Sequence, residues 1–146
     1  MARYSAGAKT AGAGSTTLPL ISLYAAASVG GRLREVGAFN TTPTAVDIKL
    51  VRLTSTGTQG ASLTAAKYDD TSAAASCTPK NTHTVAPTLG DDLGYRASLG
   101  AAIGSGVIWT FGDTGIHIPP GTANGIGIII ENGTGQILQA YFVWDE

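Results

Sequence analysis

Charged side chains are scarce in this chain. Asp, Glu, Lys and Arg make up 13% of its 146 residues, whereas globular proteins average about 25%. The formal net charge is −1, so the sequence carries no basic footprint and we predict no nucleic-acid partner. A Thr-rich surface with few charges suits β-structure and contact with other proteins, because interface centres are poor in charge.

Cysteine and histidine are also rare. The single Cys77 excludes an internal disulfide and every metal site built from several cysteines. His83 and His117 have no Cys or Glu at ligand spacing, which makes a zinc site improbable. The acidic pairs Asp69–Asp70 and Asp91–Asp92 lack the alternating spacing of a calcium loop. We therefore predict no metal and no other cofactor.

The sequence shows no set of residues typical of an enzyme. His117 and Asp113 are four residues apart, and such a pair can act as a general base, but no nucleophile in a recognisable turn follows. A half-exposed strand histidine opposite two core isoleucines is the simpler interpretation. The run GIGIII at 125–130 precedes neither a helix nor a lysine that would bind phosphate. We predict no catalytic residues, and a small hydrolase dependent on His117 ranks last.

Long apolar segments are absent as well. No run approaches the length of a membrane span, so no membrane partner is predicted. The opening residues MARYSAGAKTAGAGSTT lack the apolar segment of a secretory signal, which predicts synthesis in the cytosol.

The N-terminal residues 1–15 are rich in Ala, Gly and Ser, and their prominent side chains are Arg3, Tyr4 and Lys9. Such a segment buries too little by itself to offset its ordering entropy. It is either a frayed end or an arm that orders against a partner. We predict a flexible arm at 1–15 and a single domain at 16–146.

Short apolar runs separated by turn residues predict about eight strands, as in a β-sandwich or barrel. A first strand is expected within 17–27. Strands at 32–40 and 45–54 are expected to form a hairpin, with a bulge at Leu50–Val51 where the alternation slips. From Val107 to Glu146, VIWTF, GIHIP, GIGIII and QILQAYFVW alternate with turn sequences, which predicts an antiparallel meander.

Two features of this last third predict contact with another surface. The final strand, QILQAYFVW, carries apolar bulk on both faces and should be covered on both. A neighbouring subunit and a loop or N-terminal segment of the same chain are equally good candidates for the second cover. Gly125 and Gly127 would keep a sheet face flat where another surface approaches. We select Gly125, Gly127, Tyr141 and Val143 as subunit-interface residues.

Three phrases, GRLREVGAFNTT, IPPGTANGIGIIIENGTG and YFVWDE, resemble small structural proteins of tailed-phage virions, especially the head decoration (cement) proteins of phages that infect actinobacteria. The likeness covers most of Leu18 to Glu146 and contains no catalytic motif. It implies an antiparallel, jelly-roll-like β-sandwich that forms a homotrimer on the capsid exterior.

The same resemblance implies a partner and a contact segment. The partner is the major capsid protein, and the N-terminal arm would extend across the shell through Arg3, Tyr4 and Lys9. The alternative is a tail-tip or head-fibre module that binds a host surface glycan. That alternative predicts exposed aromatic side chains gathered in a groove, drawn from Tyr24, Tyr68, Tyr95 or Trp109.

Overall fold

The computed structural model describes all of residues 1–146 and contains two antiparallel β-sheets packed face to face. It is an all-β sandwich, which confirms the predicted fold class; the jelly-roll detail stays a prediction. The strands are β1 (Arg3–Lys9), β2 (Ile21–Tyr24), β3 (Gly31–Asn40), β4 (Val46–Leu53), β5 (Ala66–Lys67), β6 (Thr78–Lys80), β7 (Leu89–Leu99), β8 (Gly106–Thr110), β9 (Ile116–Ile118), β10 (Gly125–Asn132) and β11 (Leu138–Asp145). No helix of a length and apolarity suited to crossing a membrane occurs.

The eleven strands are divided between the two sheets. The six-stranded sheet, which we call sheet A, has the order β5-β1-β11-β3-β8, with β9 also paired to β3. The five-stranded sheet, sheet B, has the order β6-β2-β10-β4-β7. The edge strands β7 and β8 therefore border one side of the sandwich, and β5 and β6 border the other.

The core lies between the sheets and is built by period-two alternation. In β10, Ile126, Ile128 and Ile130 face inward. In β11, Phe142 and Trp144 do so, both fully buried. A cluster of 22 buried residues joins the inner faces of both sheets. Because each strand turns alternate side chains outward, the residues between these positions form the outer faces.

Residues 1–15, predicted to be a flexible arm, are instead part of the sandwich. β1 pairs with β11 from Arg3 opposite Asp145 to Lys9 opposite Gln139. Tyr4 is 2% exposed and stacks on Trp144, with ring centroids 5.8 Å apart. The backbone hydrogen bonds to β11 and the burial of Tyr4 offset the ordering entropy that composition alone left unopposed. The domain consequently begins at the N-terminal strand and not at residue 16.

The predicted connections between strands need two further corrections. β8 and β9 pair with β3 in sheet A, β10 lies in sheet B, and β11 returns to sheet A, so Val107 to Glu146 is not a meander. β3 and β4 belong to opposite sheets and form no hairpin. Turn residues fix where the chain reverses, but the choice of sheet depends on which apolar face must cover the core.

The alternation of apolar residues in 45–54 changes parity at Leu50–Val51, and two features of the structure correspond to this change. The pairing of β4 with β7 shifts register between Lys49 and Val51, so an irregularity lies at the predicted point, but the extra residues are on β7, between Asp92 and Arg96. Along β10, however, β4 keeps a regular register from Leu53 to Ile48, and the pairing shifts only beyond it, between Ile130 and Asn132. Val51 and Leu53 turn outward and join a second apolar cluster with Tyr24 and Ile129. The change in parity therefore also marks a small core on the outer face of sheet B.

Candidate functional site: the outer face of sheet A

Four of the seven residues predicted to make contacts lie on one surface, the outer face of sheet A. Arg3 and Lys9 project from β1, and Tyr141 and Val143 project from the neighbouring β11. They share this face because the inward positions of the same strands are taken by core residues such as Tyr4 and Phe142. Two of the predicted arm contacts and two of the predicted interface residues thus belong to a single continuous surface.

The middle of this face is flat and apolar. Gly7, Tyr141, Gly37 and Ile108 lie opposite one another on four adjacent strands. The Tyr141 ring lies across Gly37, where a Cβ atom would overlap it. Ile108 is 53% exposed, and Phe39 covers Gly106 in the same manner as Tyr141 covers Gly37. A shallow depression of about 230 Å³ lies beside Tyr141 and Phe39.

A cluster of charged side chains lies at one end of the outer face of sheet A. The Asp145 carboxylate accepts hydrogen bonds from Arg3 Nε at 2.7 Å and forms an ion pair with Arg34 Nε at 2.7 Å. The hydrogen bond from Arg3, with the charges of both arginines, holds the pKa of Asp145 below its usual range. The Asp145 side chain is 7% exposed, so both guanidinium groups are fixed by a largely buried anion.

Arg34 reaches this cluster because of a β-bulge. The register of β3 along β11 shifts so that Glu35 pairs with Val143 and Leu33 pairs with Trp144, which leaves Arg34 as the extra residue. Bulges re-aim side chains in this way. Arg34 also donates to the backbone carbonyls of Gly112 and Asp113. The loop 111–115 is therefore tied to the end of the face.

A second hydrogen bond fixes the aromatic part of the face. Tyr141 Oη donates to Glu35 Oε1 at 2.6 Å. Burial, and then the neighbouring Glu35 carboxylate, raise the pKa of Tyr141 to about 12, so the phenol remains a neutral donor at physiological pH. Glu35 also lines an open groove of about 430 Å³ with Arg3, Tyr68 and Val143. The Tyr141 side chain is therefore held by a contact within the chain.

The remaining predicted contact residues lie elsewhere. Tyr4 is in the core, so only Arg3 and Lys9 of the predicted arm contacts are exposed. Gly125 and Gly127 are buried on the outer face of sheet B, on the opposite side of the sandwich. A Cβ at Gly125 would lie 2.8 Å from the Tyr24 ring, and one at Gly127 would lie 3.1 Å from Leu53. Their flatness serves contacts within the chain.

The outer face of sheet B is covered by the chain's own loops. Tyr24 Oη donates to the carbonyl of Ser55 at 2.9 Å, and the backbone of Thr58 bridges to Val85 in a second loop. This loop pair encloses Tyr24, which is 1% exposed. Loops of the same chain therefore cover the outer face of sheet B at β10. On the outer face of β11, the side chain of Val143 is buried, at 7% exposed, whereas that of Gln139 is exposed.

The aromatic residues proposed for glycan binding do not share a groove. Tyr24 is buried, whereas Tyr68 is 62% exposed at the charged end of the face of sheet A. Tyr95 packs against Trp109 and Phe111, with ring centroids 6.0 and 4.9 Å away. These three rings close the β7–β8 side of the sandwich. Only Tyr68 stands next to an open polar groove.

One serine–histidine pair was not foreseen from the sequence. Ser22 Oγ lies 2.8 Å from His83 Nε2, although 61 residues separate them and no motif links them. Both side chains are buried, and His83 Nδ1 makes no hydrogen bond. Burial is the main cause that lowers the pKa of His83. The pair lacks solvent access and a carboxylate on Nδ1, so it does not have the geometry of a nucleophile and its base.

The other candidate chemical groups are dispersed. His117 is exposed on β9 between Ile116 and the buried Ile118, which agrees with the simpler interpretation of its strand. No group of three or more His, Cys, Asp or Glu side chains is positioned to hold a metal ion. Burial raises the pKa of Cys77 to about 12, which keeps its thiol protonated.

Comparison with known proteins adds no family. No protein-family model matches the chain. No curated protein matches it. No solved structure matches it either.

Proposed function

We propose that the chain is a non-enzymatic structural protein of a phage virion. In this proposal it is a decoration protein that binds the major capsid protein on the outside of the assembled head, as an oligomer, and stabilises the shell. The observation that carries the proposal is the outer face of sheet A, where Arg3, Lys9, Tyr141 and Val143 share one surface. The assignment to a virion is based on the resemblance of three sequence segments to structural proteins of tailed-phage virions.

The composition of this face suits a protein partner. Its centre is apolar and low in charge, as at the centre of protein interfaces, and its charges lie toward its ends, with Lys9 at one and the Arg3–Asp145 cluster at the other. The hydrogen bond from Tyr141 to Glu35 and the ion pairs of Asp145 hold the side chains in place before binding. Preorganised side chains lose less entropy on association, so more of the contact energy appears as affinity.

Stabilisation of the shell would follow from mass action. A ligand that binds the assembled lattice and not free subunits stabilises the lattice by an amount that grows with the logarithm of the ligand concentration divided by Kd. An oligomer presents several copies of the same face, and each contact raises the effective concentration of the next. Combined binding can then exceed that of a single contact by roughly 10²–10⁴.

The test compares assembled and unassembled partner. Purified protein should co-sediment with mature capsids of the phage that encodes it and should not bind free coat subunits. Deleting the N-terminal residues is unsuitable as a test, because β1 is part of sheet A. Lys9→Glu and Gln139→Arg change exposed positions on the face and should weaken capsid binding.

The matched control lies on the other side of the molecule. Val85 is 56% exposed on a loop over sheet B, and Val85→Arg should leave capsid binding unchanged. Equal affinity for free coat protein, or equal loss in the Val85 variant, would contradict the proposal.

A second candidate, a module that binds host surface glycan, is favoured by one observation. Tyr68 is 62% exposed beside the groove that contains Arg3 and Glu35, and sugar rings stack on aromatic side chains. Retention on host cell-wall material that is lost in Tyr68→Ala would support this function. No retention of the unaltered protein would rule against it.

A further inference from the structure

The two sheets end in four outermost strands, β5, β6, β7 and β8. The first three carry features that prevent pairing with another chain. β5 has only two residues, and β6 has three with Pro79 in the middle. β7 carries Asp91, Asp92 and Arg96, and it is irregular, with Gly94 at φ 80° and two register shifts along β4. Short length, proline, charge and bulges are the means by which proteins protect sheet edges.

β8 has none of these features. Its five residues, GVIWT, include no charge and no proline, and its register with β3 is regular from Glu35–Thr110 to Phe39–Gly106. β9, which continues the same edge, has three residues and is followed by Pro119 and Pro120. Among the outermost strands β5, β6, β7 and β8, the one without such protection is therefore β8, over Gly106–Thr110.

The hydrogen bonds on either side of β8 establish which of its amides are free. Phe111 N–H donates to the Arg34 carbonyl, and the Ser105 carbonyl accepts from Asn40 N–H. In an antiparallel pair the bonded residues alternate, so the odd-numbered residues of β8 bond to β3. The N–H and C=O groups of Gly106, Ile108 and Thr110 consequently point away from sheet A.

Exposed apolar side chains gather along this edge. Six large hydrophobic side chains of the chain are exposed, and three of them border β8: Ile103 at 75%, Ile108 at 53% and Tyr95 at 37%. The loop 111–115 does not cover the edge, because Arg34 holds the carbonyls of Gly112 and Asp113 at the end of the outer face. An approaching strand would meet free backbone groups and apolar side chains together.

We propose that β8 pairs with β8 of a second copy of this chain, antiparallel, about a two-fold axis at Ile108. In this register Ile108 lies opposite the partner's Ile108, and Gly106 lies opposite the partner's Thr110. All three outward residues then fall in hydrogen-bonded pairs, which supplies about six backbone hydrogen bonds. No charged residue lies in the paired segment, so no like charges meet across the axis.

A second copy fits this edge better than a different partner does. The segment has no charge with which to select a complementary sequence, whereas the two-fold register matches every free donor with an acceptor of the same strand. An isologous contact of this kind closes after two subunits. The two six-stranded sheets would join into one sheet, and their apolar outer faces would lie side by side. The result is a dimer where the sequence resemblance implies a trimer.

The test is the oligomeric state in solution, measured by sedimentation at increasing protein concentration. The unaltered protein should form dimers. Ile108→Pro should weaken the dimer roughly 100-fold, because it removes two central hydrogen bonds and places two rings across the axis. It should leave the monomer folded, because the Ile108 N–H has no partner in the monomer and proline is tolerated at such edge positions.

Two further variants separate pairing from folding. Ile108→Lys keeps the backbone donor but places two ammonium groups across the axis, so it should also yield monomers. Ile108→Val preserves shape and charge and should retain the dimer. Circular dichroism and thermal unfolding establish that each variant is folded.

Hydrogen exchange provides a second readout. The amides of Gly106, Ile108 and Thr110 should become protected as the protein dimerises, whereas the amide of His117, which belongs to β9, should not change. A protein that remains monomeric at all concentrations, a trimer, or a dimer unaffected by both Ile108→Pro and Ile108→Lys would overturn the proposal. None of these measurements involves a capsid, so the proposed function is tested independently.

Discussion

The ring of Tyr141 lies flat across the backbone of Gly37, its direct neighbour on the adjacent strand of sheet A. Any Cβ atom at position 37 would overlap the ring. The ring is held there by the hydrogen bond from its hydroxyl to Glu35. A glycine in β3 and a tyrosine in β11 therefore make the outer face of the sheet flat.

Gly37→Ala is expected to displace the Tyr141 ring and break its bond to Glu35. Because the displaced ring loses its packing on β3 and its hydrogen bond, the free energy of unfolding should fall by about 1–3 kcal/mol. Chemical denaturation measures this loss. Gly100→Ala is the matched control, since its Cβ would only approach Ser105 Oγ at 3.4 Å. Equal stabilities of the two variants would contradict the packing described for Tyr141.

Asp145→Asn is expected to destabilise the protein at neutral pH, because Arg3 and Arg34 lose their shared carboxylate. For the loss of a partly exposed ion pair of this kind, we expect the free energy of unfolding to fall by about 1–3 kcal/mol. Asp113→Asn, at an exposed loop position, should have little effect.

The same variant should change the response to acid. The pKa of Asp145 is lowered from its usual 3.8, so its contribution to stability is present above pH 3.8 and is lost as the pH falls through the lowered value. The difference between the natural protein and Asp145→Asn should therefore shrink below about pH 4. A difference that stays constant down to pH 2 would show that the carboxylate charge is unimportant.

His83 is expected to make stability depend on pH near neutrality. Burial, and then the charge of Lys80, lower its pKa from the usual 6.5, although the backbone of Thr56 partly opposes the shift. The unfolded chain therefore binds more protons, and stability is complete above pH 6.5 and falls as the pH drops toward the lowered value. The facing groups are Ser22, Tyr24 and Lys80.

Thermal unfolding between pH 5 and pH 7.5 measures this effect. His83→Gln should remove the slope in this range, whereas His117→Gln, at an exposed position, should preserve it. An unchanged slope in His83→Gln would place the titrating group elsewhere.

Cys77 is expected to be unreactive in the folded protein. It is 2% exposed, and burial, with the neighbouring Glu146 carboxylate, raises its pKa to about 12. Because the thiolate is the reacting form, a disulfide reagent at pH 8 should label the thiol only after denaturation. Labelling of the native protein as fast as that of the denatured protein would contradict this arrangement.

Local patterns in the sequence identified many of the strands. The alternation in 45–54 and the isoleucines of GIGIII predict β4 and β10, because a period of two follows from the geometry of a single strand. The two-residue and three-residue strands β5 and β6 carry too few side chains for any pattern. β1 was missed because Ala, Gly and Ser dominate it, and its stability comes from β11.

The candidate site was predicted in part. Arg3, Lys9, Tyr141 and Val143 were selected for separate reasons and lie on one face, whereas Gly125 and Gly127 lie on the opposite side. Arg34 and Glu35 were not selected, because their roles depend on the bulge opposite Val143. A bulge is a relation between two strands, so neither strand shows it alone.

The sequence by itself determined the class of the fold, the scarcity of charge on its surface and the absence of any catalytic motif. Each of these follows from composition or from neighbours along the chain. The tertiary structure decided which sheet each strand joined, that the N-terminal segment forms a strand, and that β8 is an unprotected edge strand. These properties depend on hydrogen bonds and apolar contacts between residues far apart in the chain, such as Arg3 with Asp145 and Ser22 with His83.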